Sequence, residues 1–304
     1  MLWWAGGDIP ERSMHSRTVA EAHGFHQTAP GTLFLVGTPI GNLEDITLRA
    51  LRVLREADLI ACEDTRQTQK LLNHYDIHTK TTSYHEHNEM TKAPELVRRM
   101  VEGAQIALVS DAGTPGISDP GYRLVELCIR HKIGVVPVPG ATALVVSLVA
   151  SGLPAQPFQF LGFAPAKRTL RRKLLQEISQ YPATSIFFEA PHRITETLAD
   201  VLEVLGDRPV VVAREITKLH EEFLRGACSE VLEKIRSRPR PQGEFTLLIG
   251  NSTEPAAPAG AVQPLKERVE ELMRQQGLAR MEALKVVARE RNISKSQAYR
   301  EYQS

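Results

Sequence analysis

The 304-residue sequence has little cysteine, no marked excess of either charge and no long hydrophobic run. Its three cysteines, Cys62, Cys128 and Cys228, form no CxxC pair, which argues against a disulfide framework and a cysteine zinc site. The formal net charge is +1, so a surface that binds nucleic acid must be a local patch. No stretch offers the roughly 18 apolar residues of a membrane helix, and the opening apolar run is too short for a signal peptide. We therefore expect a cytoplasmic protein without a membrane span.

Short apolar runs alternate with segments of helical spacing along most of the chain. This alternation predicts the α/β class with a parallel sheet covered on both faces, and the length favours two domains. Asp45 is placed to cap the first helix, which begins near Leu48. The predicted organisation is an N-terminal extension (1–30), an N-terminal α/β domain (31–151), a C-terminal α/β domain (152–250), a linker (251–264) and a helical tail (265–304).

Three loops rich in glycine and proline follow predicted strands, at the edge where open parallel sheets bind ligands. They span residues 37–42, 110–121 and 138–143. The first does not read GxGxxG, and a Walker A lysine is missing, which disfavours a phosphate cradle. The second is rich in residues that favour unusual backbone angles, as expected where a backbone closely approaches a ligand. One such loop is an ordinary turn with a helix cap, but three at consistent strand ends favour a shared pocket.

The stretch His85-Glu86-His87 invites a metal-site interpretation. It is not an HExxH motif, because Glu89 stands where the second histidine would be. In a predicted loop we interpret it instead as a hydrogen-bonded edge of the substrate site, and we predict no metal.

The three loops together resemble those of the tetrapyrrole (corrin/porphyrin) methylase superfamily. The segment 35–47 is similar to the superfamily's start motif, and Gly113-Thr114-Pro115 stands where most members have Gly-Asp-Pro. Further similar segments are 62–66, 84–89, 162–165 and 188–193. The resemblance covers residues 31–250 well and the tail more loosely. It implies a parallel five-stranded N-terminal sheet, a mixed C-terminal sheet, a cleft between them that binds S-adenosylmethionine, and a homodimer.

The resemblance also implies which residues contact this cofactor. A sulfonium ligand with an adenine needs apolar walls and a few backbone hydrogen bonds, which small and apolar loop residues supply. Threonine at position 114 removes an expected carboxylate, which Asp111 could replace. The predicted cofactor-binding residues are Pro39, Ile40, Asp111, Gly113, Thr114, Pro115, Ile117, Thr142 and Ala143.

Residues 111–121 are similar to one branch of the superfamily in particular. The likeness implies methylation of the ribose 2′-OH of a decoding-centre cytidine in 16S rRNA of the small ribosomal subunit. Such a transfer is an in-line displacement that benefits from a general base. Candidate bases or orienting groups near predicted strand ends are Asp64, Glu189, His192 and Glu215. Simpler roles stay open for two of them, since Asp64 can cap a helix and Glu215 can pair with Arg214.

Cations cluster at a predicted helix start after Pro165, where they oppose the helix macrodipole. A phosphate partner would offset that cost. The predicted RNA-binding residues are Lys167, Arg168, Arg171, Arg172, Lys173, Arg193 and Lys218. The tail has nine Lys/Arg and six Glu, hence +3 (9 − 6), and reads as helix-turn-helix-like. A hairpin that only docks on the body is the alternative for the tail.

Two other functions compete with RNA methylation. A precorrin or uroporphyrinogen methyltransferase would need neither the basic cluster nor the helical tail. A nucleic-acid-binding regulator would not need three ligand-shaped loops. The sequence therefore favours an S-adenosylmethionine-dependent rRNA methyltransferase.

Overall fold

A computed structural model describes residues 29–238, 241–251, 265–276, 278–290 and 294–303. The predicted extension and linker fall almost wholly outside these residues. The strands are β1 (Thr32–Val36), β2 (Leu59–Cys62), β3 (Thr81–Ser83), β4 (Ile106–Val109), β5 (Gly134–Val138), β6 (Phe158–Phe163), β7 (Thr184–Glu189), β8 (Pro209–Arg214), β9 (Glu222–Ala227) and β10 (Phe245–Ile249). The helices are α1 (Leu48–Glu56), α2 (Thr65–His74), α3 (Glu89–Val101), α4 (Tyr122–Arg130), α5 (Ala143–Ser151), α6 (Arg168–Ile178), α7 (Ile194–Leu205), α8 (Cys228–Arg236), α9 (Leu265–Gln276), α10 (Arg280–Glu290) and α11 (Lys295–Gln303).

The first sheet has five parallel strands in the order β3-β2-β4-β1-β5. Every residue of β2 and β4 is buried, because helices cover both faces of the sheet. Helices α3 and α4 pack on one face through Leu96 and Leu124, and α1 and α2 pack on the other through Leu54 and Leu72. The predicted parallel five-stranded sheet is thereby confirmed.

The second sheet is mixed, with the order β6-β7-β10-β8-β9. Only β6 and β7 run parallel in it, and the other neighbours are antiparallel. Helices α6, α7 and α8 bury a large apolar cluster against one face. On the other face, Leu144 and Leu148 of α5 pack with Val211 and Leu248, and Ile40 from the loop after β1 joins them. This shared cluster holds the first loop against the second sheet and so forms the cleft.

Two helix starts show how local chemistry sets the element bounds. Asp64 caps α2, and its Oδ1 accepts a hydrogen bond from the Arg66 N–H at 2.8 Å. The predicted cap of α1 was wrong, because Asp45 ends a short 3-10 turn. Thr47 is the cap instead, and its Oγ1 accepts from the Ala50 N–H at 3.1 Å.

The tail helices α9, α10 and α11 enclose an apolar cluster of their own. Val269 and Leu272 of α9 pack with Val287 of α10 and Ala298 of α11. This confirms the predicted small helical tail. None of the helices in the described part of the chain is long and apolar enough to span a membrane.

Candidate functional site

A cavity of about 390 Å³ lies in the cleft, at the carboxyl ends of the first sheet's parallel strands. All three glycine-rich loops contribute to it, and residues of the second sheet close it from the other side. Six of the predicted cofactor-binding residues line this cavity: Ile40, Gly113, Thr114, Ile117, Thr142 and Ala143. Pro39, Asp111 and Pro115 do not line it. The structure therefore brings most of the predicted set to one place.

The loops interlock through backbone contacts that demand small residues. The Thr38 N–H donates to the Gly113 carbonyl at 2.8 Å, and the Gly113 N–H donates back to the Thr38 carbonyl at 3.1 Å. A Cβ on Gly37 would lie 2.8 Å from Gly140 Cα, so the first and third loops meet at glycines. Gly113 has φ of +81°, a conformation that glycine adopts without strain. These contacts fix the shape of the cavity floor.

Asp111 has a different position from the one predicted for a cofactor contact. Its Oδ1 accepts a hydrogen bond from the Asp64 N–H at 3.0 Å, which joins the second loop to the start of α2. The carboxylate thus supports the loop from outside the cavity.

Aromatic and aliphatic groups form most of the cavity wall, including Phe163 and Phe188. Among the described residues, the charged ones that line it are carboxylates: Asp119, Glu189 and Glu244. No described lysine, arginine or histidine lines the cavity. Such a wall suits an apolar ring together with a positive charge, and it disfavours a phosphate ligand.

Glu189, a predicted catalytic residue, ends β7 on the cavity wall and is buried. Its Oε1 accepts from the Ala190 N–H at 2.8 Å and from Arg193 Nη2 at 2.6 Å. Its Oε2 accepts from the Thr197 hydroxyl at 2.6 Å. Both oxygens are held by the protein, so the geometry favours an orienting role for this carboxylate.

The other predicted catalytic residues do not line the cavity. Hydrogen bonds from Arg66 lower the pKa of Asp64 to about 2. Burial opposes ionisation of Glu215, but hydrogen bonds from Lys218 and the Glu244 N–H outweigh it and lower its pKa. His192 is exposed between β7 and α7. Carboxylates with lowered pKa values are weak bases, so Asp64 and Glu215 suit structural roles better.

Sequence reasoning missed several residues of this site, among them Phe163, Phe188, Glu244 and the acidic Asp119. Burial, followed by the negative charge of Glu63, raises the pKa of Asp119 to about 6, although a hydrogen bond with Ser110 opposes the shift. Burial and the charge of Asp111 also raise the pKa of Glu63, and nearby His85 opposes that shift. The signal in the sequence was an aspartate in a glycine-rich loop, but its burial and its acidic neighbours appear only in three dimensions.

His85 lies at the end of β3, where Asn88 contacts its ring. The Asn88 Nδ2 and His85 Nε2 atoms are 3.3 Å apart, and Asn88 Oδ1 accepts from the His85 N–H at 2.9 Å. In the described part of the chain, no group of three His, Cys, Asp or Glu side chains is arranged to hold a metal ion.

The predicted RNA-binding cations of α6 contact acidic residues of α7. Arg171 is only 1% exposed, and its Nη2 lies 2.7 Å from Asp200 Oδ2. Arg168 also pairs with Asp200, at 2.8 Å, and Arg172 pairs with Glu203 at 2.6 Å. Cations at the start of α6 oppose its macrodipole, and carboxylates of the neighbouring helix α7 offset this cost. The prediction that Arg171 belongs to the RNA surface is wrong, because its guanidinium is buried.

Two further predicted RNA contacts lie beside the cavity and are paired. Arg193 binds Glu189, and Lys218 lies 2.8 Å from Glu215 and 3.2 Å from Glu244. Lys173 is exposed, with Glu177 at 3.9 Å, and Lys167 is exposed at the start of α6. Of the seven predicted cations, Lys167 has no ion pair within the described residues.

Several proteins with established names resemble this chain along most of its length. A relative in Halalkalibacterium halodurans, named ribosomal RNA small subunit methyltransferase I, is 50% identical over 276 residues, which cover 90% of this chain and 94% of the relative. Relatives of the same name in Micromonospora olivasterospora (45% identical; 94% of this chain, 88% of the relative) and Synechocystis (46%; 88% and 96%) are similar.

Solved structures share the fold at low identity. A cobalt precorrin-4 methyltransferase superposes with a TM-score of 0.55 at 19% identity, covering 72% of this chain and 94% of that one. A diphthine synthase superposes with a TM-score of 0.58 at 14% identity, covering 72% and 90%. The family model of the Tetrapyrrole (Corrin/Porphyrin) Methylases matches residues 32–232. With its two α/β sheets and the cavity between them, the chain belongs to the tetrapyrrole (corrin/porphyrin) methylase family.

Proposed function

We propose that the protein transfers a methyl group from S-adenosylmethionine to the ribose 2′-OH of a decoding-centre cytidine in 16S rRNA. The relatives at 45–50% identity are named for methylation of the small-subunit ribosomal RNA. The cavity carries the proposal, because its apolar walls and carboxylates complement a ligand with an aromatic base and a cationic sulfur.

The residues of the cavity have separate tasks in this proposal. Bound S-adenosylmethionine supplies an activated methyl group on a positively charged sulfur. Ile40, Ile117 and Phe188 pack against the apolar parts of the ligand and exclude water. Glu189, fixed by Arg193 and Thr197, complements positive charge or orients the acceptor ribose. Pro39, Asp111 and Pro115 do not line the cavity, and their task is to support the loops that form it.

The RNA surface is proposed to run along the cleft edge of α6. Lys167, Arg168 and Lys173 are exposed there, and their charges can approach phosphates while their acidic partners remain on α7. Arg172, Arg193 and Lys218 are less accessible, and each pairs with a carboxylate. The tail, with its net charge of +3 over residues 265–304 (9 − 6), is proposed as a second RNA contact.

The decisive experiment is methylation of small ribosomal subunits that lack the modification, followed by mapping of the methylated atom. We expect one methyl group on a cytidine 2′-oxygen. Methylation of uroporphyrinogen or a precorrin instead of the subunit would favour a tetrapyrrole substrate. A ligand that binds the folded state stabilises it. If neither substrate is methylated and S-adenosylmethionine does not raise the melting temperature, a nucleic-acid-binding regulator is favoured.

We also propose that the protein is cytoplasmic, since ribosomal subunits are its proposed substrate, and that it forms a homodimer. Helix α5 is apolar on all sides, yet Val149 is 72% exposed and Val145 is 44% exposed. Apolar helices are usually buried all round, so a second copy is the occupant that we propose for this face. Sedimentation velocity should give a dimer for the wild type and a monomer for Val149→Glu. A wild-type monomer at micromolar concentration would refute the proposal.

A further inference from the structure

We infer that the Asp119 carboxylate is the general base that removes the proton of the acceptor hydroxyl. The inference rests on the proposed function, because only a hydroxyl acceptor needs this proton removed. It names a residue outside the set predicted from the sequence.

Asp119 lines the cavity at the point where the second loop approaches the second sheet. It is next to Ser118, which has φ of +61°. A non-glycine residue with this backbone angle is uncommon, and such strained residues cluster at functional sites. A Cβ on Gly162 of β6 would lie 3.7 Å from Ser118 Oγ, so the loop reaches the second sheet at this point. The carboxylate is thus held where both halves of the cleft meet.

Asp119 differs from the other carboxylates of the cavity in its partners. Glu189 pairs with Arg193, and Glu244 pairs with Lys218. No described cation pairs with Asp119; the nearby charges are Glu63 and Asp111, and the Ser110 hydroxyl is the neighbouring group that lowers its pKa. A cation would hold a carboxylate in its ionised, weakly basic form, whereas acidic neighbours make it bind a proton more readily.

The surrounding groups come from three strand ends. Glu63 and Asp64 follow β2, His85 follows β3, and Asp111 belongs to the same loop as Asp119. Burial and Glu63 raise the pKa of Asp119 to about 6, so it is largely ionised at neutral pH and still accepts a proton well. A base is most effective when its pKa lies near the working pH.

The step conserves atoms and charge. The 2′-OH proton passes to an Asp119 oxygen while the 2′-oxygen forms its bond to the methyl carbon. The carbon–sulfur bond breaks, and its electron pair stays on sulfur, which becomes a neutral thioether. Asp119 then releases the proton to water, so one proton leaves per methyl group transferred.

The test compares Asp119→Asn with Asp76→Asn. Both replace a carboxylate by an amide of the same shape, and Asp76 lies after α2 with φ of +52°, which asparagine accepts. Cofactor affinity is measured by calorimetry, and the single-turnover rate is measured on unmodified subunits between pH 5 and 9. We expect Asp119→Asn to lose about 100-fold or more in rate while it retains cofactor binding. Asp76→Asn should behave as the wild type.

A second readout does not depend on turnover. The carboxyl carbon of Asp119, labelled with ¹³C, should titrate near pH 6 in the wild type, and this signal should be absent from Asp119→Asn. The wild-type rate should fall below the same pH, and the fall should vanish in the variant.

The outcomes separate the inference from the proposed function. If the wild type methylates the 2′-oxygen and Asp119→Asn keeps its rate, the base assignment is overturned and the function stands. A rate loss explained wholly by weaker cofactor binding also overturns it. If the wild type methylates a nucleobase atom of the RNA, the proposed function fails. The assignment of Asp119 as the general base then fails with it.

Discussion

Two clusters of like charge in this protein have opposite surroundings. The acidic cluster is Glu63, Asp111 and Asp119, at the carboxyl ends of the first sheet's strands. The basic cluster is Arg168, Arg171 and Arg172 on α6. Each cation of the basic cluster has a carboxylate of α7 within 2.9 Å, whereas burial and mutual repulsion raise the pKa values of Glu63 and Asp119.

The difference supports a structural role for the basic cluster and the proposed catalytic role of Asp119 in the acidic one. Compensated charges that are hydrogen-bonded at short distance join α6 to α7 and cover the second sheet's core. Partly buried charges without a cationic partner cost stability, and such groups are common where they serve a reaction. In the sequence the basic cluster lies within one dense run of cations, whereas the acidic residues are spread from position 63 to position 119, so the acidic cluster is apparent only in the structure.

The largest predicted effect tests the structural role of the basic cluster. Arg171→Met leaves Asp200 buried with one cation fewer, and Arg168 only partly replaces it because its side chain is 63% exposed. We expect a loss of about 3–5 kcal/mol in the free energy of unfolding, measured by urea denaturation.

The matched control adds Asp200→Leu to Arg171→Met. Replacing both buried charges by apolar groups often restores stability, so the double variant should recover most of the loss. If Arg171→Met unfolds like the wild type but no longer methylates RNA, then Arg171 serves the substrate and our distinction between the clusters is wrong.

The second prediction concerns the glycines that bring the loops of the acidic cavity together. Gly37→Ala would place a Cβ 2.8 Å from Gly140 Cα, and backbone atoms have little room to move. We expect at least a tenfold weaker Kd for S-adenosylmethionine by calorimetry, which corresponds to about 1.4 kcal/mol. Gly206→Ala is the control: its φ of +78° makes alanine costly, but nothing lies within 4 Å and the site is remote. Equal loss of cofactor affinity in both variants would contradict the proposed role of the three loops in binding the cofactor.

Much of this architecture could be predicted from the sequence, because periodicity and glycine content report on backbone geometry. The buried runs of β2 and β4 indicated the parallel sheet, and the three loops indicated the cavity. Side-chain partners were harder to predict. Arg171 and Asp200 are 29 positions apart, and nothing in either segment shows that they meet. Asp119 was missed for the same reason, since its neighbour Glu63 follows a different strand. The prediction that Asp45 caps α1 was also wrong, because a 3-10 turn that ends at Asp45 precedes this helix.

The third prediction is that Asp119→Asn stabilises the protein in a pH-dependent way. Folding raises the pKa of Asp119 from 3.8 to about 6, so the folded protein binds more protons than the unfolded chain between these values. The wild type therefore loses stability as pH rises through this window, and the neutral amide does not. We expect the variant to melt about 2 °C higher at pH 8 and at the same temperature near pH 3.5 by calorimetry. A lower melting temperature at pH 8 would show that Asp119 stabilises the fold and would place it with the compensated charges.

The smallest predicted effect asks whether Lys167, which is exposed beside the basic cluster at the start of α6, contacts RNA. Lys167→Gln removes a cation that has no ion pair in the described residues, so stability should hardly change. Lys80→Gln is the control, because Lys80 precedes β3 at the opposite edge of the first sheet from the cavity. If Lys167 meets a phosphate, the slope of log affinity for the small subunit against log salt should fall by about one unit, with no change in the control. An unchanged slope for Lys167→Gln would exclude a phosphate contact at this residue, and the RNA contact would then have to be sought at Arg168, at Lys173 or on the tail.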